Sequence, residues 1–187
     1  GPALASWAIF VVAAVQIAVA LIGYLRGFDA ETPVPAAAAG LSVAAFATAA
    51  VWLFAGGKHD TRARALAMAF LLIASAFARR FTGIVGGPGA LLIRGVYLDA
   101  FLPVFVWMFA RDFPRVIRLS RWDEVTRHGT RLAVATGAAL FFVNLVRAYA
   151  PAWVPPILAR SHPRSAYWAA VVGLSVVALV VSLVRAS

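Results

Sequence analysis

An all-helical bundle that crosses a membrane six times is what this sequence predicts, and three observations carry the prediction. Hydrophobic residues make up 63% of the chain and charged ones 13%, whereas soluble domains sit near one half and one quarter. The apolar residues gather into six runs of about 20 positions, and a helix of that length, rising about 1.5 Å per residue, matches the hydrocarbon thickness of a bilayer. The fourth run then discharges into Arg111, Arg115, Arg118, Arg121, Arg127 and Arg131, opposed only by Asp112, Asp123 and Glu124. Short loops with such an arginine excess face the cytoplasm, which orients the whole chain.

Gly1-Pro2 lacks an initiator Met and reads as the scar of a removed tag, leaving 3–187 as one transmembrane domain. The first helix, about 5–25, carries no charge and one notable polar group, Gln16. The loop 26–35, with Asp29, Glu31 and two prolines, is external by alternation. The second helix, 36–54, sets Ala36, Gly40, Ala44 and Thr48 at four-residue spacing, a small-residue stripe that predicts an interior helix. Gly56-Gly57 ends it, and Lys58, Arg62 and Arg64 make the next loop cytoplasmic. The third helix, 65–84, places Arg79 and Arg80 near the outer interface, and the glycine-rich segment 83–89 reads as an external turn. The fourth helix is 91–110. After the basic loop the fifth runs 132–149, with Ala133 and Gly137 as a small pair and Asn144 and Arg147 towards its far end. A proline-rich outer loop with Trp153, Tyr167 and Trp168 leads to the sixth helix, 166–184.

Ten basic residues then fall inside and seven outside, with both termini cytoplasmic. Only Arg185, Ala186 and Ser187 follow the last run, so the sequence reads as the membrane part of something longer. The net charge of +10 does not indicate a nucleic-acid partner, because many of the arginines sit at the ends of apolar runs rather than on a solvated face.

The polar groups inside the runs are the candidates for function. Asp99 lies about 12 Å into its helix, where an unpaired carboxylate is costly. Arg94 is on another side of the same helix, so the expected partners are Arg79, Arg80 or Arg147. Pro103 cannot donate to the carbonyl of Asp99, which predicts a hinge there and a free oxygen. Arg79, Arg80, Arg94, Asn144 and Arg147, with Gln16, Tyr97 and Asp99 deeper, would form an outward-facing pocket for an anionic or amphipathic small molecule. The plainer account, which carries more weight, is an ion pair such as Asp99 with Arg147 that fixes the bundle's register. Arg115, Arg118 and Arg121 alternate with apolar residues and either form an interfacial helix on anionic lipid or serve only as a topology signal.

The chain has no cysteine, and His59, His128 and His162 show no i, i+4 pairing, so no metal or other cofactor is expected. No hydrolase or phosphate-binding motif occurs, so this chain is not expected to be an enzyme.

The segment Phe101-Leu102-Pro103-Val104-Phe105-Val106-Trp107-Met108-Phe109-Ala110-Arg111-Asp112-Phe113-Pro114-Arg115 resembles the N-terminal multi-spanning input regions of bacterial signalling proteins. The resemblance covers about 15 residues. It implies a dimeric sensory domain whose last helix feeds a cytoplasmic output domain in cis, a histidine kinase or serine phosphatase. A different class, a small transporter or channel subunit, would show two related halves with paired helix breaks.

Overall fold

The computed structural model describes residues 2–29, 34–57, 59–113, 120–154 and 168–184. Every regular element among them is helical: α1 (Pro2–Leu25), α2 (Ala36–Gly56), α3 (Thr61–Ala78), α4 (Gly87–Arg94), α5 (Leu102–Asp112), α6 (Ser120–Tyr149) and α7 (Gly173–Val184). Short 3-10 turns extend α3 over Arg79–Ile84 and precede α5 over Leu98–Phe101, and a π turn, Trp168–Val172, leads into α7. Four helical stretches are long and apolar enough to cross a membrane: Ser6–Leu25, Ala36–Gly56, Thr61–Ile84 and Trp122–Tyr149. Large apolar side chains such as Leu25, Leu41, Trp52 and Phe142 project outward from them, the pattern expected when the solvent is lipid.

α3 is the central helix. Its window is 61% buried, against 11–22% for the other three. Ala65, Ala67, Ala69, Ala74 and Ala78 give it a thin profile on which neighbours approach closely. The expected interior position of the second helix is therefore corrected: α2 is peripheral, and Ala44 and Thr48 of its small-residue stripe are exposed. Its inward side is set by Ala39 and Ala50 instead. The main core joins Ala13, Ala50, Met68, Leu72, Leu98, Leu102 and Phe105, drawing on α1, α2, α3 and α5.

α3 starts on a side-chain cap. Asp60 accepts from the Arg62 N–H at 2.9 Å and from its guanidinium at 3.0 and 2.6 Å. These donors hold the Asp60 carboxyl down at about 2. The glycine-rich segment after α3 does not stay a loop, because α4 begins within it. Gly87 turns the chain at φ +64°, and Pro88 follows in the first helical turn, where a missing N–H costs no hydrogen bond.

The expected continuous fourth helix, 91–110, is broken. α4 stops at Arg94, the chain is non-helical over 95–97, and helix resumes through the 3-10 turn into α5. The expected hinge at Pro103 also moves: Pro103 lies in the first turn of α5, a position that tolerates proline, and the interruption lies upstream of it. The carbonyl of Asp99 is not free, since the Leu102 N–H donates to it.

α6 extends the predicted 132–149 helix backwards over the second half of the basic segment. Its 30 residues exceed the hydrocarbon thickness, so one end projects beyond it. Asp123 and Arg127 pair one turn apart at 3.0 Å on that projecting end. Arg115 and Arg118 lie outside the described residues, as does the side chain of Arg121.

Candidate functional site

The break in the fourth segment brings four elements to one point. A helix end leaves carbonyls without N–H partners, and in lipid these must be met by side chains. Gln16, fully buried in the middle of α1, does so. Its amide Nε2 donates to the carbonyl of Ile93 at 2.9 Å and to that of Val96 at 2.9 Å. Its Oε1 accepts from the Ser75 hydroxyl of α3. One side chain thus ties α1, α3 and both sides of the interruption together.

Immediately after the break, Asp99 meets Arg79 at 3.0 Å, with both side chains at least nine-tenths buried. The Arg79 guanidinium also stacks over the Tyr97 ring, 4.0 Å from its centre. Of the partners the sequence allowed for Asp99, Arg79 is in contact with it. It is delivered by the 3-10 turn that tightens the end of α3, and the Thr82 hydroxyl donates to the Arg79 carbonyl at 2.7 Å. Arg94 donates to the Thr82 carbonyl at 3.3 Å, so it braces this turn rather than the carboxylate. Arg80 points elsewhere. It grips Asp29 through two bonds of 2.6 and 2.8 Å and the Val34 carbonyl at 2.6 Å, fastening the connection between α1 and α2.

α6 presents a stripe of small and polar residues to the break. Gly137 sits against the Ala100 carbonyl, and a Cβ there would lie 2.6 Å from that oxygen. One and two turns further lie Leu140 and Asn144, both buried. The Asn144 amide nitrogen has no hydrogen-bond partner among the described residues. Arg147 is half-buried on the next turn. Of the eight residues expected to share a pocket, Gln16, Arg79, Tyr97 and Asp99 therefore meet at the break, and Arg94 is one residue removed through Thr82. Arg80 serves the outer connection, while Asn144 and Arg147 flank the break from α6.

Sequence reasoning missed Ser75, Thr82 and the π turn. Ser75 and Thr82 were visible as the two hydroxyls within the third run. The π turn had no signal, since Ala170, Val171 and Val172 read as any apolar helix. It matters because Val171 and Val172 pack on Ala100 and Leu140, directly behind Asp99. At the other end of α5, the Ser182 hydroxyl of α7 donates to the Ala110 carbonyl at 3.2 Å. The turn at Val171 and Val172 packs near the start of α5 and Ser182 reaches Ala110 near its end, so α5 and α7 run parallel.

Among the described residues no cluster of His, Asp and Glu is arranged to hold a metal ion. Comparison of the chain with protein-family models, curated proteins and solved structures finds no match.

Proposed function

We propose that this chain is a membrane-embedded signal-input domain that relays an event at the helix break, through α7, to a cytoplasmic output domain in cis. The observation that supports it is the parallel contact of α5 and α7, joined behind Asp99 at one end and by Ser182 to Ala110 at the other. A shift of the 3-10 turn at 98–101 moves α5 and carries α7 with it. The resemblance of Phe101–Arg115 to signalling input regions points the same way. In this reading the segment 87–112 and the last helix complete six crossings of a bacterial inner membrane, with both ends cytoplasmic and a homodimer as the working unit.

The break is the bistable element. In one arrangement Gln16 holds the Ile93 and Val96 carbonyls and Asp99 holds Arg79. In the other, 95–97 becomes helical, those carbonyls find N–H partners in the chain, and the Arg79 pair is released. A ligand shifts the balance only by binding the two unequally. The cysteine-free chain permits clean spin labelling at Trp52 and Val184, both largely exposed. In nanodiscs the distance distribution between these labels is expected to shift when Asp99→Asn weakens the pair. Identical distributions, with unchanged output from the full-length gene product, sink the relay.

A second reading, a small transporter or channel subunit, is favoured by the same interrupted helix, since transporters build substrate sites from discontinuous helices. Such proteins carry paired breaks in two related halves, and here α1 and α2 run unbroken. A liposome flux assay separates the two readings.

A further inference from the structure

At the opposite end of the bundle from the break, where α1 begins, α2 ends, α3 begins and α5 ends, lies a cavity of about 590 Å³. That volume falls within the roughly 300–1,000 Å³ of small-molecule sites. Its wall is almost wholly apolar: Phe10 from α1, Phe54 from α2, Met68 from α3, and Phe105 and Met108 from α5. Arg64 lines the same cavity and is exposed, so its charge lies at the mouth.

Charge settles what the mouth accepts. Two carboxylates at this end of the bundle are already engaged: Asp60 by Arg62 at 2.6 Å, and Asp112 by Arg111 at 3.0 Å and by the Thr61 hydroxyl at 3.3 Å. Arg62 and Arg111 are held in return by the same ion pairs. No ion pair of Arg64 exists among the described residues. An uncommitted cation beside an apolar, partly open cavity matches one anionic head on one hydrocarbon chain. Met68 and Met108 suit chains of differing length, because unbranched thioether side chains adapt their shape to irregular contacts.

We propose that this cavity binds a free long-chain fatty acid, its carboxylate on Arg64 and its chain between Phe10, Phe54, Met68 and Phe105. One cation and one chamber fit a single-tailed amphiphile rather than a two-chained phospholipid. The site does not depend on the relay: it lies at the other end of α3 and α5 and is read out by binding alone.

The test uses the full chain in phosphatidylcholine nanodiscs with a diazirine-bearing palmitic acid, the labelled residues being found by mass spectrometry. Labelling is expected on the cavity wall, competed by palmitate and about tenfold less well by its uncharged methyl ester. Arg64→Gln is expected to weaken apparent affinity roughly tenfold, the loss of one charge-assisted contact, while Arg64→Lys retains most of it. Ala65→Leu, which adds bulk to the wall, is expected to block labelling, with thermal melting as the check that all three variants fold. Labelling that is absent, that ignores Arg64→Gln, or that a diazirine phosphatidylcholine reproduces at equal strength overturns the proposal. None of those failures bears on the spin-label distances that test the relay.

Discussion

Gln16 holds the break open because it supplies both donors that the interrupted chain lacks. A buried carbonyl without a partner costs about 1–3 kcal/mol, and Gln16 satisfies two. Gln16→Leu keeps the size and removes the donors, so thermal melting in detergent is expected to fall by an amount reflecting about 1–3 kcal/mol for each carbonyl. Ser42→Ala is the matched control, since the Ser42 hydroxyl only back-bonds the Ala38 carbonyl of its own helix and its loss is expected to leave melting unchanged. A Gln16→Leu variant as stable as the parent would mean that the carbonyls find other donors and that the interruption is not held by α1. The Arg79 and Asp99 pair differs in kind: it joins two buried charges, whereas Gln16 links only neutral groups.

Helices here are placed by where backbone can approach backbone. Gly137 lets α6 rest on the Ala100 carbonyl, one residue from Asp99, and nothing flexible stands between them. Gly137→Ala is therefore expected to destabilise by about 1–3 kcal/mol through overpacking against a main-chain atom. Gly56→Ala at the open end of α2, where a Cβ meets nothing within 4 Å, is expected to be tolerated. Comparing their melting temperatures checks the contact, and equal values would detach α6 from the break. The periodicity that reveals such helices in sequence is also what hides their interruptions. The fourth run is apolar enough to read as one helix, and the interruption at Gly95-Val96-Tyr97 is decided by a distant donor, Gln16, about 80 positions away. Buried charge was legible, since Asp99 had to find an arginine. Which arginine was not, because the 3-10 tightening that delivers Arg79 is a tertiary effect. The central role of α3 was hidden for a similar reason, as alanines scattered around a helix carry no stripe to announce it.

For the molecule as a whole, the direction of each segment follows from a few long-range contacts. The Thr61 hydroxyl meets Asp112, and Arg79 meets Asp99, so the chain from Asp99 to Asp112 retraces α3 from its end to its beginning. α7 runs parallel to α5, which brings Val184 to the end where Ser6, Thr61 and Arg64 line one cavity. The described start of α1 and the described end of α7 are therefore on one side of the bundle. In the proposed orientation, with that end cytoplasmic, residues near Gly56 and His128 would face the cell interior, and Phe28 and Trp153 would face outward. Single cysteines at those four positions in the cysteine-free chain are expected to divide accordingly in intact cells. A membrane-impermeant maleimide should label Phe28→Cys and Trp153→Cys and should reach Gly56→Cys and His128→Cys only after lysis. Full inversion of that pattern keeps the bundle but sends α7 to the wrong side for a cytoplasmic output. Labelling of Trp153→Cys and His128→Cys from one side removes α6 as a crossing, and with it the geometry that sets Gly137 against the break.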